Sequence, residues 1–221
     1  MVRKIKSIFV LALPLFSSIA LCNASVTEKE RYQTPFYIGG MVGYGSTTWE
    51  GLVPTRENKN SATSMSTPLH VTEGGRVLGW YAGCELTPYF ALETSYMRYP
   101  DAKVIFDPMS LFSFNNNDRT EFTTNTKTVN LLGKVMLFFP ETQLRIYSSA
   151  GVASVHRHDL LASHWNLSPS FGAGVNYRFT DHFMGELGGN YTAGYGESRV
   201  DPTESYIPFL YSVTLRLAYC F

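Results

Sequence analysis

Along residues 209–221 apolar and polar side chains alternate without a break. Phe209, Tyr211, Val213, Leu215, Leu217, Tyr219 and Phe221 share one phase, and Ser212, Thr214, Arg216, Ala218 and Cys220 share the other. Successive side chains of a strand point to opposite faces, so this reads as a strand with one apolar and one polar face. Aromatics bracket the apolar face at both ends, as on a strand that crosses lipid between two membrane interfaces. Seven further segments read as strands: 36–49, 75–87, 90–106, 126–139, 144–157, 165–179 and 183–197. Within 165–179, Leu167, Phe171, Ala173, Val175, Tyr177 and Phe179 are predicted outward, with Ser168, Ser170, Gly172, Gly174, Asn176 and Arg178 inward. Segment 126–139 places Val129, Leu131, Val135, Leu137 and Phe139 outward, and Asn130 and Lys134 inward. Segment 75–87 places Leu78, Trp80, Ala82 and Leu86 outward, and Tyr81, Gly83 and Glu85 inward. Segments 36–49, 144–157 and 183–197 are rich in glycine and alanine and alternate less cleanly.

The connections alternate in length. Thr87-Pro88-Tyr89, Pro140-Glu141-Thr142 and Thr180-Asp181-His182 are tight and carry turn-forming residues. Residues 50–74, 107–125, 158–164 and 198–207 form four long loops. Short turns at one end and long loops at the other describe an all-β, eight-stranded antiparallel transmembrane up-and-down β-barrel of a Gram-negative outer membrane, with both chain ends in the periplasm. Inward positions are small or polar, which suits a narrow lumen. After the first residues, no stretch is apolar for the roughly 20 residues a spanning helix needs, so strands must do the crossing.

The N-terminus has a basic start (Arg3, Lys4, Lys6), an apolar run from Ile8 to Leu21 and then small residues, the pattern of a secretory signal. Cleavage after Ala24 makes 1–24 the signal peptide, 25–35 a short periplasmic segment and 36–221 the barrel domain. Lipidation at Cys22 is the competing reading, opposed by the bulky Leu21 before it. The whole chain has no net charge. Losing the three N-terminal cations leaves the remainder mildly acidic, without the basic patch a nucleic-acid partner requires. Cys84 and Cys220 remain, on opposite faces by phase, so two free thiols are expected.

Two hairpins carry a resemblance. They are Gly79-Trp-Tyr-Ala-Gly-Cys-Glu-Leu-Thr-Pro-Tyr-Phe-Ala-Leu-Glu-Thr-Ser-Tyr96 and Phe171-Gly-Ala-Gly-Val-Asn-Tyr-Arg-Phe-Thr-Asp-His-Phe-Met-Gly-Glu-Leu-Gly-Gly-Asn-Tyr191. They resemble hairpins of the OmpA-like and opacity-like small outer-membrane barrels, a resemblance that extends over 36–221. It implies that Leu217, Tyr219 and Phe221 form the assembly signal read by the barrel-assembly machinery. OmpA continues past its barrel into a peptidoglycan-binding domain, whereas this sequence stops at the barrel's last residue, so the resemblance implies no cell-wall tethering.

Seven charged residues fall in inward phases: Glu85, Glu93, Lys134, Arg145, Arg178, Glu186 and Arg216. They are expected to form a lumen charge network, since buried charges are tolerated only when paired. The network reads either as a static polar plug or as a gate whose pairs exchange partners. His156, His158 and His164 lie close enough in sequence to suggest a metal site, but the pattern equally suits solvated loop histidines, and no metal or other cofactor is assigned. Ser163 with His164, or Ser154 with His156 and Asp159, could be combined into a hydrolytic set only by chance proximity. The protein is not expected to be an enzyme, and no catalytic residue is assigned. The loops 50–74 and 107–125 hold most of the irregular sequence, the second with Phe112, Phe114 and Asn115-Asn-Asn-Asp118. Exposed aromatics on loops of a rigid scaffold can form a recognition surface. The sequons at Asn166 and Asn190 lie in predicted membrane strands and look accidental. The expected function is a surface protein, structural or binding a host or environmental ligand through its four extracellular loops. The alternatives are a narrow or gated channel (a small porin) and a lipid-modifying enzyme. Outer-membrane lipid and lipopolysaccharide are expected partners.

Overall fold

The computed structural model describes residues 36–48, 69–110, 113–114, 117–160, 163–194 and 207–221. The expected signal peptide, the segment 25–35 and much of the first and fourth long loops lie outside the described residues. The described residues hold ten strands: β1 (Phe36–Thr47), β2 (His70–Thr72), β3 (Gly75–Thr87), β4 (Phe90–Arg98), β5 (Ala102–Ile105), β6 (Glu121–Phe138), β7 (Leu144–His158), β8 (Ser163–Arg178), β9 (Phe183–Thr192) and β10 (Leu210–Cys220). All pairings are antiparallel. The circle runs β1-β3-β4-β6-β7-β8-β9-β10 and closes where β10 pairs with β1, giving an eight-stranded barrel. Closure extends to the last residue, whose N–H donates to the Phe36 carbonyl at 3.0 Å.

The wall follows from the alternation. On β10 Tyr211, Val213, Leu215, Leu217 and Tyr219 are exposed, while Ser212, Thr214, Arg216, Ala218 and Cys220 are buried. Leu215 is 63% exposed, part of a continuous exposed apolar face that suits apolar surroundings. The eleven residues of β10, at about 3.3 Å each and a tilt near 40°, rise about 28 Å, close to the apolar band of an outer membrane. Aromatic pairs mark both limits. Tyr219 packs edge-on against Phe183 and Phe221 at the end near the short turns, and Tyr191 stacks on Phe209 at the other. Among the described residues no helix is long and apolar enough to cross a membrane.

Each tight turn is held by a threonine hydroxyl. Thr87 accepts from the Tyr89 N–H, Thr142 from Leu144, and Thr180 from both His182 and Phe183. At the far end the structure departs from the expected strands. The segment predicted as one strand over 90–106 breaks at Tyr99-Pro100-Asp101, because proline supplies no N–H and disturbs the ladder. The inward phase moves from odd residues in β4 to even ones in β5. β6 starts at Glu121, earlier than the expected 126, and the short β2 lies within the expected loop 50–74. Together β2, β5 and the start of β6 form a three-stranded extension over the rim. Val71, Ala102, Val104, Phe106 and Phe122 pack together on it.

Candidate functional site

The barrel's interior has three levels, and the seven inward charges expected from the sequence occupy two of them, while Arg157, buried on the same phase of β7, lies at the third. Nearest the short turns, Glu85 on β3 meets Arg145 on β7 at 2.8 Å and Arg178 on β8 at 3.5 Å. Arg145 Nε also donates to Asn176 Oδ1 at 2.8 Å. Above them Glu93 (β4), Lys134 (β6), Glu186 (β9) and Arg216 (β10) form a closed ring. Lys134 Nζ lies 2.9 Å from Glu93 and 2.8 Å from Glu186. Arg216 reaches Glu93 at 2.5 Å and forms a short ion pair with Glu186. Every cation of the ring touches both carboxylates, and all four side chains are almost fully buried.

Three tyrosines complete the ring. The Tyr37 hydroxyl donates to Glu93 at 3.0 Å and that of Tyr147 to Glu186 at 2.8 Å. Lys134 Nζ sits 4.1 Å above the Tyr147 ring centre, and the Arg216 guanidinium 3.8 Å above that of Tyr81, the geometry of cation–π contacts. Tyr81 was expected inward from its phase, but none of the three was assigned to the charge network in the sequence. Their signal was an aromatic residue on the polar phase of a strand, where a small residue would suffice. Toward the long-loop end Val77, Met97, Tyr99, Val155, Ile207 and Leu210 are buried, beside buried polar side chains that include Thr126, Thr128, Ser212 and Arg157.

The remaining candidates are dispersed. His156 and His158 share the outward face of β7 and stack at 6.1 Å. His164 lies opposite Arg157 on the other face of the sheet, so the three histidines do not converge. Ser163 Oγ is 3.0 Å from His158 Nδ1 rather than engaged with its neighbour His164. Asp159 is committed to Arg157 at 2.6 Å in a buried pair, so neither hydrolytic set assembles. Cys84 and Cys220 are free thiols, Cys84 half-buried on the outward face and Cys220 buried on the inward one. Leu217, Tyr219 and Phe221 all face outward and are exposed.

Outside the wall, the loop after β5 is built as a hydrogen-bonded turn. The Asp107 carboxylate accepts from the Met109 N–H at 2.8 Å and its carbonyl from Ser113 Oγ at 2.8 Å. The Ser110 carbonyl accepts from the Phe114 N–H. Met109 and Phe114 stand out from this turn, 83% and 80% exposed, more than any large apolar residue described on the wall. Phe112, Asn115 and Asn116 lie outside the described residues.

A closed antiparallel barrel with an apolar outer wall, aromatic limits and a filled interior is a small integral protein of the bacterial outer membrane. Residues 10–212 match the family described as outer membrane protein beta-barrel domain, and the chain belongs to that family. No curated protein matches the sequence. Among solved structures it is similar to the outer membrane protein OprG of Pseudomonas aeruginosa, with 11% identity over 85% of this chain and 96% of that one and a TM-score of 0.51. It is also similar to the N-terminal β-barrel domain of Pseudomonas aeruginosa OprF (15% identity, 86% and 100% covered, TM-score 0.46). A third is Neisserial surface protein A (13% identity, 84% and 97% covered, TM-score 0.48). At such identities only the fold is shared.

Proposed function

We propose that this barrel is a surface-presenting scaffold, with its long loops outside the cell and its binding work done at the rim. The observation that carries the reading is the turn after β5, which holds Met109 and Phe114 almost fully exposed beyond the wall. Apolar side chains held by a hydrogen-bonded turn are a contact surface prepared in advance, and burying one aromatic anchor in a partner is worth about 2 kcal/mol or more. The interior supports the same reading, since paired charges and buried apolar and polar side chains occupy it where a passage would run. The partner is a surface offering an apolar pocket, on a host cell or in the environment. Cells displaying the protein should bind an epithelial monolayer or polystyrene, and the double variant Met109→Ser/Phe114→Ser should weaken that binding about thirtyfold while the barrel still folds. Undiminished binding by the double variant would remove the rim from the mechanism.

One observation favours a second reading, a gated channel. Each ring cation touches both carboxylates, so one contact can break while every charge keeps a partner. A steady conductance in planar bilayers, raised by Lys134→Gln or Arg216→Gln, supports the channel against the scaffold.

A further inference from the structure

Among the described residues the outer wall carries its lysines and arginines on one side only. Arg76 on β3, Arg98 on β4 and Lys127 on β6 point outward near the long-loop end, in phase with Leu78, Tyr96 and Val129. Arg98 and Lys127 are directly opposite each other across the β4–β6 pair, and Arg98 also faces Leu78, two residues from Arg76. The row continues to His156 on β7 and Trp165 on β8. The outward faces of β8, β9, β10 and β1 have no lysine or arginine among the described residues and present Trp165, Tyr191, Tyr211 and Tyr44 at the same end. A set of cations serving only as interface anchors would have no reason to avoid half the circumference.

Directly opposed side chains on one face have Cβ atoms about 5 Å apart, and like charges there are destabilising. Among the described residues little offsets this. Asp101 reaches Arg98 only at 4.0 Å, and its carboxylate also accepts a 2.6 Å bond from Asn125. Neither Arg76 nor Lys127 has a carboxylate within 4.0 Å among the described residues. Further out Lys103 does have one, Glu121 at 2.6 Å. Among the described residues, positive charge is therefore paired at Lys103 and exceeds its carboxylate partners at Arg76, Arg98 and Lys127. The wall also opens here: β3 and β4 pair from Leu78–Arg98 inward, β2 and β5 from Thr72–Lys103 outward, with no ladder between. The opening is a groove of about 220 Å³ lined by Arg76, Leu78, Arg98, Tyr99, Pro100 and Asp101. Below it Trp80 and Tyr96 stack at 6.3 Å.

We propose that this groove and the row of cations beside it bind the phosphates of lipid A, the glycolipid of the outer leaflet. Two guanidiniums and an ammonium supply the forked and point-charge donors that phosphate oxygens take. The aromatic stack and Leu78 below them give acyl chains an apolar wall. A soluble anion would have no use for that wall, and a lipid of the inner leaflet would lie at the other end of the barrel. The assignment to the outer leaflet rests on the orientation proposed above. The test does not, because it is made in micelles, where a loss of lipid binding and a loss of surface binding through Met109 and Phe114 are separate results.

The experiment is native mass spectrometry of the detergent-solubilised barrel titrated with diphosphoryl lipid A, dephosphorylated lipid A or phosphatidylglycerol. The unmutated protein should retain diphosphoryl lipid A about tenfold more strongly than either other lipid, the ratio of one charge-assisted hydrogen bond. Arg98→Gln/Lys127→Gln should abolish that preference, Arg98→Lys should keep most of it, and Lys103→Gln should leave it unchanged. A heat-dependent gel shift establishes that each variant is folded. Equal retention by the double variant, or equal retention of the dephosphorylated lipid, overturns the proposal. Equal retention of phosphatidylglycerol overturns the choice of lipid A.

Discussion

Lys134 shows how much of this interior rests on single side chains. It lies almost fully buried between Glu93 and Glu186, so removing its charge leaves two carboxylates sharing Arg216. An uncompensated buried charge costs about 3–5 kcal/mol. Lys134→Met should therefore lower the unfolding free energy in urea by about that amount. Lys134→Met/Glu186→Gln should recover part of the loss, because one buried anion goes with the cation. A single-variant loss below about 1 kcal/mol would mean that the ring is solvated. The ring also needs small residues beside it. A Cβ at Gly83 would run into the Tyr37 ring, and one at Gly188 into the Tyr147 hydroxyl. Gly83 on β3 and Gly188 on β9 thus leave the space into which Tyr37 and Tyr147 fit.

Among the described elements, the turn from β6 to β7 sets a glutamate where the backbone favours glycine. Thr142 N–H donates to the Phe139 carbonyl at 3.2 Å, with Pro140 second in the turn and Glu141 third at a φ of 60°. That third position favours glycine, since a side chain in left-handed conformation costs about 1–2 kcal/mol. Glu141→Gly should raise stability by up to about 1 kcal/mol, the entropy of the freer unfolded chain absorbing the rest. A lower urea midpoint would show that the Glu141 side chain contributes a contact of its own. The strand-level account was legible because lipid outside and polar side chains inside force a period of two on every crossing. Beyond the wall that constraint ends, and there the expected elements fail: the ladder opens between β4 and β5 at Pro100, β6 begins early, and β2 is missed. Gly74, with a φ of 88°, and Gly75, packed against Pro100, allow the facing chain to bend with it.

For the whole molecule, the inward charges could be named from phase, but their partners could not. Glu93 and Arg216 are far apart in sequence and meet only because the barrel closes and its strands are staggered. The lateral row Arg98–Lys127–His156 is likewise a product of register, invisible while each strand is read alone. Closure also separates two chemistries, a lipid-facing wall with cations at one edge and a filled interior, and leaves the rim as the place where a partner can be met. The most direct test of this arrangement is protease shaving of intact cells, with cleavage sites mapped and the barrel followed by its heat-dependent gel mobility. The account predicts cuts confined to the connections β1–β2, β5–β6, β7–β8 and β9–β10, around a core that still migrates faster unheated. Cuts at the Thr87, Thr142 or Thr180 turns, or a core with no heat-dependent shift, would contradict it.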